Sequence, residues 1–195
     1  MTVQERVEHH YAALGMPSWP NPHAGRDATD DEYSRVTDPA RYRIVHARAR
    51  AWAAALAELP GVRTDGDRVT SPRPGTLPLF LTEIDNEPAI LQISVVRPDI
   101  VLDRLPDCGC DACDWGSADL LEAIDARVRA VVEGPFVHVR GDGWYAHWWP
   151  GGATVSNHHD FDLDLCRRLA AGENVALPDK SVAYVGRSWL ALPGD

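Results

Sequence analysis

The sequence predicts an α+β fold, a single domain with a mainly antiparallel sheet built from hairpins packed against about three helices. Three observations lead there. A chain of 195 residues with 45% hydrophobic and 25% charged residues has the length of one domain and enough apolar material for a core. Apolar residues recur every three or four positions in three separate segments, which is the helical period. Between those segments lie short runs rich in Val, Ile and Leu, bounded by turn residues, which read as hairpins.

Taken in chain order, Val3, Val7, Tyr11 and Leu14 share one face of a short helix that Gly15 ends. Residues 16–37 carry three prolines, one glycine and four acidic residues, a composition for turns. We read them as an ordered wrap in which Trp19 and Tyr33 require packing partners. Residues 1–37 are thus an N-terminal helix and proline-rich wrap, and residues 38–195 an α+β core. Asp38 and Pro39 supply an N-cap and a first-turn proline for a helix bearing Tyr42, Val45, Ala49, Trp52, Leu56 and Leu59, stopped at Pro60 and Gly61. Residues 77–84 and 89–96 form a hairpin across Asp85, Asn86, Glu87 and Pro88. Ser117 is placed to cap a helix carrying Leu120, Leu121, Ile124, Val128, Val131 and Val132, with Asp119 and Glu122 early, Arg127 and Arg129 late, and Gly134 as its stop. A second hairpin pairs residues 136–140 with 144–149 through Gly141, Asp142 and Gly143. A third helix covers about 160–171 before Gly172, and a last strand covers 181–190.

Charge narrows the function classes. Nineteen Lys and Arg against 29 Asp and Glu give a net charge of -10, which repels phosphate backbones and anionic lipid, so neither nucleic acid nor membrane is an expected partner. The first residues lack the continuous apolar stretch of a signal peptide, and no run approaches the roughly 18 apolar residues of a membrane span. The expectation is a cytoplasmic protein whose cysteines stay reduced, which favours metal binding over disulfides. A Gly-rich phosphate loop, a dinucleotide fingerprint, a His-Glu-x-x-His helix and a Gly-x-Ser-x-Gly elbow are all missing from the sequence. Cys110-x-x-Cys113 also lacks the preceding His-x-Glu of zinc deaminases.

The densest chemical signal is Cys108-Gly109-Cys110-Asp111-Ala112-Cys113-Asp114, three thiols within six residues on a turn made supple by Gly109. Zinc takes four ligands in a tetrahedron, and thiolates spaced by one and two residues converge if the backbone turns tightly. The thiols precede a helix N-terminus, which favours thiolate, and residues 101–126 hold seven acids and one Arg, a field suited to a divalent cation. Cys166 is one candidate for the fourth ligand. It equally suits a buried apolar position beside Leu165 and Leu169. His158, His159 and Asp114 are the other candidates. A reduced turn without metal and a Cys108 to Cys113 disulfide stay open, while the spacing fits neither ferredoxin pattern. The first reading is a zinc-binding accessory module with a structural cysteine site, whose partner is a protein or small ligand. The second is a zinc-dependent enzyme with water in an open position and His158 or His159 carrying protons. Arg41, Arg43, Arg48 and Arg50 form a positive stripe that is a solvated face, a docking site for an acidic partner or, as we prefer, a surface packed on the wrap acids Asp27, Asp30, Asp31 and Glu32. Trp144 and Trp148 share a strand face, and His138 and His147 lie on opposite arms of their hairpin.

Residues 15–23 with Trp19-Pro20-Asn21-Pro22-His23, the stretch Tyr33-Ser34-Arg35-Val36-Thr37-Asp38-Pro39, the cysteine motif and Gly186-Arg187-Ser188-Trp189-Leu190 together resemble an uncharacterised bacterial family of high-GC, actinobacterial type. The resemblance spans nearly the whole chain, and the cysteine motif is its most specific part. It implies a single-domain cytosolic protein of unknown function and assigns no catalytic residue.

Overall fold

Helix α1 (Val3–Ala12) opens at a capping box: the Thr2 hydroxyl accepts from Glu5 N–H, and the Glu5 carboxylate accepts from Thr2 N–H. The computed structural model describes residues 1–190. Within them the chain is α+β, with antiparallel sheets of five and four strands. The described residues divide into two compact units, 1–69 with 79–127 and 70–78 with 128–190. No helix among the described residues is long and apolar enough to cross a membrane.

In the first unit α1 packs on α2 (Ile44–Ala57), and Val7 is fully buried. The helix expected from Asp38 starts later. Asp38 sits in the left-handed region at φ 49 with no side-chain cap bond, and residues Pro39–Arg43 form a 3-10 turn before α2 begins. Five strands follow as a meander: β1 (Arg63–Asp65), β2 (Arg68–Thr70), β3 (Leu79–Ile84), β4 (Ile90–Val95) and β5 (Val101–Leu105). The expected hairpin is β3 with β4, in register Leu79↔Val95 and Leu81↔Ile93, and these four residues are buried together on one face. Strands β1, β2 and β5 were not expected. The first two are three-residue strands around Gly66, mostly exposed, and carry no apolar alternation to read.

The arginine series turns inward onto acids other than those of the wrap. Arg48 is 2% exposed and binds the carboxylates of Asp125 and Glu8. Asp125 also accepts from Trp52 Nε1 at 2.7 Å and from Gln4 Nε2 at 2.8 Å, so α1, α2 and the helix carrying Asp125 meet on one buried carboxylate. Tyr11 places its ring 5.0 Å from the Arg48 guanidinium. Arg50 pairs with Glu83 and Arg43 with Asp85, both on the sheet side of the helix and more exposed. The wrap acids are taken by nearer arginines, Glu32 by Arg26 and Asp31 by Arg35. Asp125→Ala would leave the Arg48 charge buried beside an unpaired indole N–H, with an expected loss of about 3–5 kcal/mol in unfolding free energy. Arg43→Ala, at an exposed pair, should lose less than about 1 kcal/mol. Urea unfolding of the two variants measures both.

Helix α3 (Ser117–Glu133) contributes residues to both units, and Gly134 follows it at φ 43. The second unit's sheet runs β8 (Gly152–Ser156), β7 (Trp144–Trp149), β6 (Phe136–Gly141) and β9 (Val182–Gly186), with α4 (Leu163–Ala170) against it. The expected hairpin is β6 with β7, the expected third helix is the shorter α4, and β8 is an addition. On one face Val137, Val139 and Cys166 form a core that Trp144, Trp148, Phe161 and Leu165 cover. On the other face His138 and His147 pair in register with ring centroids 4.8 Å apart, and Tyr184 stacks on His138 at 6.0 Å. Both ring nitrogens of His138 are buried without a hydrogen-bond partner.

Burial, aided by the Arg140 charge, pushes the His138 pKa down to about 4 from 6.5. The unfolded chain therefore takes up this proton near pH 6.5 while the fold resists it. The stability present above pH 6.5 falls as pH drops towards 4, by up to about 3 kcal/mol. Thermal unfolding between pH 7 and pH 4 should show that decline, and His138→Phe should flatten it.

Candidate metal centre

Strand β5 ends at a cis Leu105–Pro106 bond, and the cysteine loop follows. Asp107 Oδ1 accepts from Cys108 N–H at 2.8 Å, which starts the turn. Gly109 then passes so close to Pro88 that a side chain there would collide with the Pro88 ring. Residues Asp111–Cys113 make a 3-10 turn with Cys110 as its first flank, and the amide of Cys113 bonds back to the carbonyl of Cys110 at 3.0 Å. Two cysteines a turn apart thus face the same side. The Sγ atoms of Cys108, Cys110 and Cys113 all lie within 4.8 Å of one another, a group that could hold a metal ion. Cys108 and Cys113 are exposed, and Cys110 is 9% exposed.

The thiols do not share protons equally. The Cys108 thiol donates to Cys110 Sγ at 3.1 Å. That bond, with help from Cys113 and the amides of Ala112 and Cys113, holds the Cys110 thiol below the ordinary cysteine range. Its neighbours Cys110 and Cys108 push Cys113 up to about 12. A cation would be needed to draw the proton from Cys113.

The two aspartates of the motif fasten the loop. Asp111 accepts from Thr37 N–H at 2.6 Å, Thr37 hydroxyl at 2.8 Å and Arg35 Nε at 2.6 Å. Burial works to raise its pKa, but Arg35 and Thr37 outweigh it and hold the carboxyl below the usual range. Its amide donates to Arg35 O and its carbonyl accepts from His23 Nε2 at 2.8 Å. Asp114 accepts from Trp19 Nε1 at 3.0 Å, Arg41 Nη2 at 2.5 Å and Gly116 N–H at 2.8 Å. The Arg41 guanidinium lies 4.7 Å from the Trp19 ring, which in turn meets Tyr42 edge-on at 5.7 Å. Gly116, at φ 92, lies against the backbone of Pro20 and Asn21, where a Cβ would fall 2.7 Å from Asn21 N. Ser117 does not cap its own helix. Its hydroxyl binds the backbone of Trp19 from both sides.

Residues 7–191 match the model of a family of unknown function, DUF6226. The chain belongs to that family. No curated protein and no solved structure matches it.

The structure thus brings together three of the seven residues that sequence nominates as ligands. Cys166 is fully buried in the second unit against Val137 and Val139, where desolvation pushes its pKa up to about 11. His158 packs edge-on to Trp144 at 4.8 Å in that same unit, and His159 is exposed there. Asp114, the one nominated carboxylate, is committed to Trp19, Arg41 and Gly116. Of the wrap aromatics, Trp19 packs as expected, while Tyr33 is 63% exposed. His23, Thr37 and Arg35 were not singled out from sequence, although they fall inside the stretches that carry the family resemblance. Asp114→Ala should remove about 1.5–3 kcal/mol of stability by stranding Arg41 and the Trp19 indole. Asp119→Ala, nearby but exposed, should stay within about 0.5 kcal/mol. Paired denaturant titrations check the contrast.

Proposed function

We propose that the chain is a zinc-binding accessory module, acting as one domain in the cytoplasm, with Cys108, Cys110 and Cys113 as its metal ligands. The observation that carries this reading is the convergence of the three Sγ atoms within 4.8 Å of each other. Zinc–sulfur bonds of about 2.3 Å in a tetrahedron separate sulfurs by about 3.8 Å. The thiols therefore need shifts of under about 1 Å to reach that geometry, starting from the 3.1 Å between Cys108 and Cys110. Soft thiolates favour zinc over magnesium or calcium, and a reducing compartment would keep the thiols free for it.

The bound ion would tie Cys108 to the 3-10 turn that carries Cys110 and Cys113 and so restrain the loop, with one position of its tetrahedron left for a ligand from outside these three. A second reading, a zinc-dependent enzyme, draws support from one observation: Cys108 and Cys113 border a small cavity that a fourth ligand could enter. In that reading His158 and His159, which belong to the other unit, have no support as proton carriers from the first unit's geometry.

Elemental emission on purified protein should find one zinc per chain. Cys110→Ala should lose it and Cys166→Ala should keep it. If the ion is present at about 100 times its dissociation constant, chelation should remove about 2.7 kcal/mol of stability, read as a fall in Tm. Protein free of metal after expression with zinc, with unchanged melting in chelator, would sink the reading.

A further inference from the structure

The three-thiol set leaves one position of a tetrahedral ion to be filled, and the surrounding residues restrict what can fill it. Among the described residues no fourth His, Cys, Asp or Glu donor joins the group. The carboxylates of the loop are already engaged, Asp107 with the Cys108 amide, Asp111 with Thr37 and Arg35, and Asp114 with Trp19 and Arg41, and Asp119, which also lines the cavity, does not join the converging group. Withdrawing any of the three loop acids would release the loop that positions the thiols.

Space for an outside ligand is present on the same side. A cavity of about 100 Å³ is bordered by Cys108 and Cys113, with Tyr42, Trp115, Asp107 and Asp119 among its other walls. That is several times the roughly 10–15 Å³ that one water requires. Trp115 is 57% exposed, so one aromatic wall faces solvent and is open to stacking. The electrostatics select by charge. A divalent ion on three thiolates carries a net charge of about -1, and the carboxylates of Asp107 and Asp119 add to it, so an incoming anion is repelled. A flat, uncharged donor gains both the metal bond and the aromatic wall.

Resting on the metal reading above, we propose that the fourth position of the ion opens into this cavity and takes a neutral planar nitrogen donor, an imidazole or related azole, while anions are excluded. Asp119, in the first turn of α3, is the residue that sets the exclusion, since its carboxylate borders the cavity and has no structural bond to give up.

The test uses the full chain loaded with cobalt(II), whose d–d bands report the ligand set that zinc leaves silent. Imidazole should shift those bands saturably, and azide at the same concentrations should not. Asp119→Asn should strengthen azide binding at least tenfold while leaving imidazole binding within about threefold. Bands that ignore imidazole, or that collapse in Cys166→Ala, would overturn the open position. An equal response to azide and imidazole, or no gain for azide in Asp119→Asn, would overturn the charge selection. Failure to bind cobalt at all is a different result, since it removes the metal reading itself and this inference with it.

Discussion

The carboxylates of Asp111 and Asp114 are the constraint on which the thiol geometry depends. Between them they accept six hydrogen bonds: Thr37 amide and hydroxyl, Arg35, the Trp19 indole, Arg41 and the Gly116 amide. Fixing a loop residue costs about 1–2 kcal/mol in backbone entropy, while a hydrogen bond to a charged group contributes about 1.5–3 kcal/mol. The anchors are thus of the right size to hold the short turn between them without a metal. The two acids take up the bonds that hold the loop to the wrap and to α3, which leaves the three cysteines as the groups of the motif free for other chemistry.

The same device recurs in α3. Asp125 receives an indole N–H from Trp52 and the guanidinium of Arg48, as Asp114 receives Trp19 and Arg41. Each buried acid is satisfied by one arginine and one tryptophan, and each arginine also lies over an aromatic ring, Tyr11 for Arg48 and Trp19 for Arg41. The loop and the helix behind it are therefore pinned by two similar clusters a few turns apart. An ion on the thiols would add a third fixed point rather than create the order of the segment. This distinguishes the site from small zinc modules, in which the metal supplies the folding free energy outright.

The helices and both main hairpins were legible because apolar period and turn residues agree: Leu79, Leu81, Ile93 and Val95 alternate about Asp85 to Pro88, and Val128, Val131 and Val132 share a face ended by Gly134. Strands β1, β2 and β8 were not, because short exposed strands next to glycine carry little apolar pattern. Convergence of Cys108, Cys110 and Cys113 was expected only if the backbone turned tightly, and the 3-10 turn at Asp111–Cys113 is that turn. The partners of the arginine series were not legible, since Arg48 to Asp125 and Arg41 to Asp114 join residues more than 70 positions apart. Position along a helix says that a charge needs an acid, and only tertiary packing says which one. The wrap looked the natural source because it precedes α2, yet its acids are claimed by Arg26 and Arg35 within the wrap itself.

If the anchored loop presents three sulfur donors, and no more, to one ion, X-ray absorption at the zinc edge counts those donors directly in the zinc-loaded full chain. The proposed site requires three sulfur scatterers at about 2.3 Å and one nitrogen or oxygen at about 2.0–2.1 Å. A shell of four sulfurs, or one with fewer than three, would contradict it.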